Sequence, residues 1–200
     1  MYWSELSKNL KTGDIILFHQ SGLISRLIDL FTDAHFSHVG MVVRRSDSPE
    51  AEQLNFWQSF EPEGGVVLDD LPEFLTKYLL KYKGTFVCRH LNVERTPEMV
   101  DALNAFMEKV KGRPFPSIWG MLSHWLEGKL GIDSGEKSFF CSDLVAASYI
   151  NMGIFSKKPP PNFYAPKNFA TSKNVRFLLD ANFSEQIPFE LDPPTAGEES

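Results

Sequence analysis

The sequence predicts an α+β domain, because short apolar strands occupy its first half and the longest helices come later. The turn Lys11–Gly13 precedes an apolar run, Asp14–Phe18, whose length suits a buried strand. Ser37–Arg44 is β-branched and apolar, and it predicts a second strand. Asn55–Phe60 and Val66–Leu68 flank a short segment that ends in two glycines, which predicts a hairpin.

Helices are predicted where apolar residues recur at helical spacing, with one further strand at Thr85–Leu91. The clearest helix is capped by Thr96, has Pro97 at its first position and ends at Gly112. Another begins at Cys141 and is apolar nearly all round, so we expect it to be buried. The helices are expected over Leu23–Phe31, Asp70–Tyr82, the segment after Thr96, Ser117–Leu130 and Cys141–Met152.

The composition is that of a folded chain with an acidic balance. The 200 residues include 20 Lys and Arg against 26 Asp and Glu, a net charge of −6, and 42% are hydrophobic. This content excludes an intrinsically disordered chain, and an acidic balance without a basic cluster argues against nucleic-acid binding. No apolar run approaches the roughly 20 residues of a membrane span. The first residues lack the pattern of a secretory signal, so we expect a cytoplasmic location.

The chain is predicted to form one domain over residues 1–187. From Pro188 onward the sequence is proline-rich and acidic and loses its apolar periodicity, so residues 188–200 are expected to be a flexible tail. Its two cysteines, Cys88 and Cys141, make no disulfide framework and fit a reducing compartment. Cys88 lies within a predicted strand, and we interpret it as structural.

Several common sites are absent from the sequence. It contains no G-x-S-x-G, no Walker A motif and no G-x-G-x-x-G, which disfavours a nucleophile-elbow hydrolase and the usual nucleotide cradles. His35 and His38 are three positions apart, but that spacing on a strand directs side chains to opposite faces, so no metal site is predicted. We therefore expect no metal or other cofactor.

A thiol and an imidazole remain as candidates for covalent catalysis. Cys141 opens a predicted helix, where free backbone N–H groups and a nearby histidine would lower the thiol pKa and the N–H groups would bind an oxyanion. His38 shares a strand face with Gly40, whose missing side chain lets another element approach closely. A buried helix cysteine is otherwise a small hydrophobe and a strand histidine a core residue, so spacing alone leaves both interpretations open.

Several segments, taken in order, resemble one enzyme family. Leu10–Phe18 and Phe36–Val43 look like the opening of the circularly permuted NlpC/P60 (papain-like) cysteine enzymes, the YaeF/YiiX-like group. Phe56–Ser59 and Gly65–Leu71 resemble the next strand and hairpin of the family. Lys111–Phe115 resembles its G-[KR]-P-[YF] turn, and Phe139–Val145 resembles its cysteine helix.

The resemblance implies a permuted papain-like fold, in which an antiparallel sheet or barrel packs against helices and the cysteine helix comes late. It assigns Cys141 as nucleophile and His38 as general base. The orienting residue of the family is a Glu, and Gln58 stands in its place here. Glu61 and Glu52 are the alternatives if the strand register differs. A Gln accepts the imidazole N–H but supplies no charge to stabilise an imidazolium.

The predicted function is a thiol hydrolase of amide or ester bonds. The resemblance implies peptide-like amides, acylated small molecules or lipids as substrates, and acyl transfer would use the same residues. A binding module that has kept the fold and lost the chemistry is the competing interpretation, supported by the missing Glu. Asp14 is interpreted as a turn residue. The aromatic segment after Phe115, with Trp119, His124 and Trp125, is interpreted as core or as a wall for an acyl chain.

Overall fold

The fold is seen in a computed structural model that describes residues 1–19, 36–46, 52–82, 84–117 and 126–193. Within these residues, six strands form one antiparallel sheet and two further strands form a small ladder. The strands are β1 (Ile15–His19), β2 (His38–Ser46), β3 (Glu52–Phe60), β4 (Gly65–Asp70), β5 (Thr85–Arg89), β6 (Leu91–Asn92), β7 (Asn182–Phe183) and β8 (Ile187–Phe189).

The large sheet has the order β4-β3-β2-β1-β5-β8, so β4 and β8 are its edges and β2 and β1 lie at its centre. The helices are α1 (Trp3–Leu6), α2 (Leu71–Tyr82), α3 (Pro97–Val110), α4 (Cys141–Asn151) and α5 (Pro166–Thr171). None of the helices that the structure describes is both long and apolar enough to cross a lipid bilayer.

Alternation along β1 divides the core between the two faces of the sheet. Ile15 and Leu17 point to the face covered by α3 and α4, where they pack with residues of both helices. Ile16 and Phe18 point to the other face, which α2 covers with a cluster dominated by aromatic rings. The sheet is therefore buried on both faces.

The predicted α+β class is confirmed, with an antiparallel sheet packed against helices and the cysteine helix late in the chain. Thr96 caps α3 as expected, because its hydroxyl accepts the Met99 N–H at 3.4 Å. The predicted helix Leu23–Phe31 and most of Ser117–Leu130 lie outside the described residues, although residues 126–129 are helical.

The start of the predicted tail is corrected. Ile187–Phe189 pairs with β5, and the Phe189 side chain is buried against the aromatic cluster. Beyond it, Asp192 accepts hydrogen bonds from the backbone and the hydroxyl of Ser4 at 2.9 and 2.6 Å. The apolar periodicity of a three-residue edge strand is too short to read from sequence, so packed structure continues past residue 187.

Candidate active site

Cys141 is the first residue of α4, and its sulfur lies where backbone N–H groups converge. The first N–H bonded within the helix is that of Leu144, to the Phe140 carbonyl at 3.0 Å. The N–H groups of Cys141 and Ser142 precede that bond, and both act on the Cys141 sulfur together with the N–H of Val39. Val39 follows His38 in β2, so the thiol lies beside the histidine strand. Free N–H groups at the start of a helix are also the kind of donor that an oxyanion hole uses.

Side chains of β3 bind the cysteine segment and α4. The ladder between β2 and β3 ends at the pair Met41 and Trp57. Beyond that pair, the Ser59 hydroxyl donates to the Phe139 carbonyl at 2.6 Å, and both groups are buried. Trp57 Nε1 donates to the Ser148 hydroxyl at 3.1 Å, which joins β3 to the second half of α4.

The turn after α3 supports the same segment. A Cβ at Gly65 would lie 2.1 Å from the Arg113 carbonyl oxygen, so only glycine allows this approach. The Val66 N–H donates to that carbonyl at 2.9 Å, and the Phe139 N–H donates to the Pro114 carbonyl at 3.3 Å. The hairpin, the turn and the cysteine segment are separate motifs in the sequence, and in the fold they meet beside Cys141.

His38 is the first residue of β2, and aromatic rings surround its imidazole. The ring centroids of Phe60 and Phe18 lie 5.1 and 5.3 Å from that of His38. Gly40 makes room for this cluster as the sequence predicted, because a Cβ there would lie 2.2 Å from the ring of Phe56. His38 is only 5% exposed.

The imidazole, the Gln58 amide and the Asp69 carboxylate form a continuous chain of hydrogen bonds. His38 Nε2 lies 2.7 Å from Gln58 Oε1. Gln58 Nε2 donates to Asp69 Oδ2 at 2.6 Å. A carbonyl oxygen only accepts, so Nε2 is the protonated nitrogen and Nδ1 carries the lone pair.

The two alternative orienting residues are placed differently. Glu61 is exposed in the short 3₁₀ turn after β3. Glu52 begins β3 and pairs with Ser46, at the end of β2 opposite to His38. Of the three candidates, Gln58 is the residue that contacts the imidazole.

Both candidate reacting groups are neutral at physiological pH. Burial lowers the pKa of His38 from 6.5 to about 4, against a smaller opposing effect of the Gln58 hydrogen bond. Burial raises the pKa of the Cys141 thiol from 9.0 to about 11, and the nearby Asp143 charge raises it further, while the three backbone N–H groups lower it. The expected lowering of the thiol pKa is therefore wrong for this conformation, because loss of water outweighs the helix N-terminus.

Two other polar or reactive groups are structural. Asp14 is buried and accepts the backbone N–H groups of Lys11 and Leu91 at 2.9 and 3.0 Å. It also pairs with His90 and Arg95, each at 2.7 Å. Asp14 is therefore a structural residue, as interpreted from the sequence, and it additionally ties the start of β1 to the chain after β5. Cys88 is fully buried in β5, and burial raises the pKa of its thiol.

Some predicted features lie outside the described residues. His35, the partner in the rejected metal pair, is one of them, and so are Trp119, His124 and Trp125 of the aromatic segment. Within the described residues, no group of three or more His, Cys, Asp or Glu side chains is placed to hold a metal ion.

Comparison with known proteins shows a similarity of fold to a solved structure. No protein-family model matches the sequence, and no curated protein matches it. The structure is similar to the crystal structure of the metalloprotein yiiX from Escherichia coli O157:H7, with a TM-score of 0.52 and 19% identity. The match covers 92% of this chain and 98% of that chain. The fold is YiiX-like. The finer permuted NlpC/P60 assignment stays a prediction.

Asp69 is a site residue that no sequence pattern singled out. The hairpin register would have predicted its place, because Gln58 lies opposite Val67 and Asp69 is the next residue of β4 on the same face. Diagonal neighbours on one face of a ladder lie within reach of long polar side chains.

Proposed function

We propose that this chain is a cysteine-dependent hydrolase of amide or ester bonds, with Cys141 as nucleophile and His38 as general base. The observation that carries the proposal is the 2.7 Å contact between His38 Nε2 and Gln58 Oε1. It uses the imidazole nitrogen that a papain-like site reserves for the orienting residue. The other nitrogen, Nδ1, is left to take a proton from the thiol.

The proposed reaction has two half-reactions. The Cys141 sulfur attacks the substrate carbonyl carbon while His38 Nδ1 takes the thiol proton, and the N–H groups at the start of α4 bind the developing oxyanion. The intermediate collapses to a thioester, and the imidazolium returns its proton to the departing amine or alcohol. A water molecule then attacks the thioester carbonyl, again losing its proton to Nδ1. The acid leaves and the thiol is restored.

The resting pKa values favour proton transfer during attack over a preformed ion pair. With pKa values of about 11 for Cys141 and about 4 for His38, the proton stays on sulfur at neutral pH. Proton transfer to a neutral imidazole during attack is the scheme of hydrolases that use a serine hydroxyl. With a pKa of about 4, His38 is a weaker base than an ordinary imidazole, so the scheme requires the pKa values of the two groups to approach each other when substrate binds. The neutral Gln58 fits this scheme, because it orients the ring without stabilising an imidazolium.

The substrate class follows from the resemblance and not from the site geometry. Peptide-like amides and acylated small molecules or lipids are the proposed substrates. Acyl transfer differs only in the acceptor that attacks the thioester, so an amine or alcohol that outcompetes water would make the enzyme an acyltransferase. Product analysis in the presence of added amines or alcohols separates the two, because hydrolysis releases the free acid whereas transfer gives the acylated acceptor.

The number of donor atoms at the site decides whether it fits a bound metal ion. The yiiX neighbour is titled a metalloprotein. Among the residues that the structure describes, the site offers one thiol and one imidazole nitrogen, since Nε2 is bound to Gln58. Two donors are fewer than the three or four protein ligands of a zinc site. These residues therefore do not fit a metal at this position.

Activity-based labelling tests the proposal. The wild type and the variants Cys141→Ala and Cys88→Ala are treated with acyl and peptidyl electrophiles, and the tagged peptide is identified by mass spectrometry. We expect labelling of Cys141 in the wild type and in Cys88→Ala, and none in a folded Cys141→Ala variant, which also loses turnover. A fully active Cys141→Ala variant would remove this mechanism.

A binding module of the same fold is the second candidate. The observation that favours it is the burial of the thiol, which is 8% exposed and has a raised pKa. In that case no electrophile tags Cys141 under native conditions, while unfolding the protein in urea makes both cysteines react. Labelling that depends on His38 excludes the module, and the variant His38→Ala measures that dependence.

A further inference from the structure

We propose that Asp69 is a positioning residue: its carboxylate orients the Gln58 amide and so holds His38 in the tautomer whose Nδ1 is free to take a proton. The consequence for turnover rests on the proposed function. The tautomer itself is measurable without any substrate, so the two ideas fail separately.

The orientation of the amide follows from what each neighbour accepts or donates. The Gln58 side chain is fully buried between Asp69 Oδ2 at 2.6 Å and His38 Nε2 at 2.7 Å. A carboxylate only accepts, so the NH₂ group must face Asp69 and the carbonyl oxygen must face the imidazole. That oxygen in turn only accepts, which requires the ring proton on Nε2. The charge of Asp69 thus decides where the proton of His38 resides.

Without Asp69, nothing in this chain of bonds distinguishes the two ends of the amide. A rotation of Gln58 by 180° would present its NH₂ group to Nε2. The imidazole would then carry its proton on Nδ1, where it cannot receive the thiol proton. Because the amide is buried, solvent does not compete for its polar atoms, and the preference is transmitted to the ring.

The pair also accounts for a Gln where the resemblance implies a Glu. A carboxylate at position 58 would face the Asp69 carboxylate across a hydrogen-bond distance, and two carboxylates that close cannot both be ionised at ordinary pH. In this chain the two tasks are divided. The Gln58 amide contacts the ring. The negative charge is on Asp69, which binds the far side of that amide from the edge strand β4.

The decisive variants remove or exchange the two side chains. In Asp69→Leu the acceptor is lost, and we expect the Nδ1–H tautomer of His38 to become populated and kcat to fall about 10- to 100-fold with little change in KM. The double variant Gln58→Glu with Asp69→Asn swaps the acid and the amide. The introduced amide then donates to the introduced carboxylate, which accepts from Nε2. This double variant should keep the wild-type tautomer and recover most of the activity lost in Asp69→Leu.

The readout is the long-range ¹H–¹⁵N correlation spectrum of histidine-labelled protein, which distinguishes the two tautomers, with His38 assigned by its loss in His38→Gln. Asp70→Asn is the matched control, because Asp70 precedes α2, is exposed and accepts the Glu73 N–H at 2.9 Å. It removes a neighbouring charge without touching Gln58. If Asp69→Leu does not fold, Asp69→Ala, which also lacks an acceptor, replaces it.

The outcomes separate the positioning role from the proposed function. An Nε2–H tautomer in the wild type that is retained unchanged when position 69 carries no acceptor overturns the inference, as does a wild type with the proton on Nδ1. The expected tautomer changes in a protein without hydrolytic activity would support the positioning role and reject the hydrolase.

Discussion

In a variant that lacks Cys88, the remaining thiol of Cys141 should be alkylated by iodoacetamide at a rate that rises about tenfold per pH unit between pH 7 and 10. The reactive species is the thiolate. The pKa of Cys141 is about 11, two pH units above its ordinary value of 9.0. At neutral pH the thiolate fraction is therefore about 100-fold smaller than for an unperturbed thiol.

The slope of the rate against pH, and not the rate itself, reports the thiol pKa, because burial slows access of the reagent equally at every pH. The assay measures pseudo-first-order rates by mass spectrometry, in Cys88→Ala and in the partner variant Cys141→Ala, which reports the buried Cys88 alone. The same thiol in urea provides the unperturbed reference. Cys88 should react more slowly than Cys141 throughout, because burial also raises its pKa and it is fully enclosed.

A preformed thiolate–imidazolium pair would give a different profile. Alkylation of Cys141 would then level off below pH 8, and the change His38→Ala would abolish that plateau. Either observation would refute the conclusion that burial dominates the site. With the neutral pair, His38→Ala leaves the slope of the profile unchanged while turnover is lost.

Three further variants probe the supports of the site. Gly40→Ala should lower the free energy of unfolding by about 1–3 kcal/mol, because three ring carbons of Phe56 lie within 3 Å of the added Cβ, and the double variant with Phe56→Leu should recover part of it in urea titrations. Ser59→Ala leaves the buried Phe139 carbonyl without its 2.6 Å donor and should cost about 1–3 kcal/mol together with part of the activity. His38 has a pKa of about 4 when folded and 6.5 when unfolded, so the unfolded chain binds more protons between those values. Stability should be full above pH 6.5 and fall by about 3 kcal/mol as the pH drops through 4, a slope that His38→Leu removes.

Patterns among neighbouring residues are enough to predict the local features of the site. Period-two alternation placed His38 and Gly40 on one strand face, and the space that Gly40 leaves is filled by Phe56 as expected. The apolar helix that begins at Cys141 was also evident, since its pattern depends only on neighbouring residues. The hairpin that carries Gln58 follows from the Gly-containing turn between two apolar runs.

The protonation state of His38 and the contact of Gln58 with Asp69 are determined only by the tertiary structure. Every element that packs around a group removes some of its water. The aromatic rings of β1, β3 and α2 together bury His38 and so lower its pKa. The role of Asp69 depends on side chains that meet across a strand register, and β8 pairs with an edge of β5 that only the folded sheet provides. Local sequence specifies which residues face inward, whereas the charge that a buried group carries depends on everything that excludes water from it.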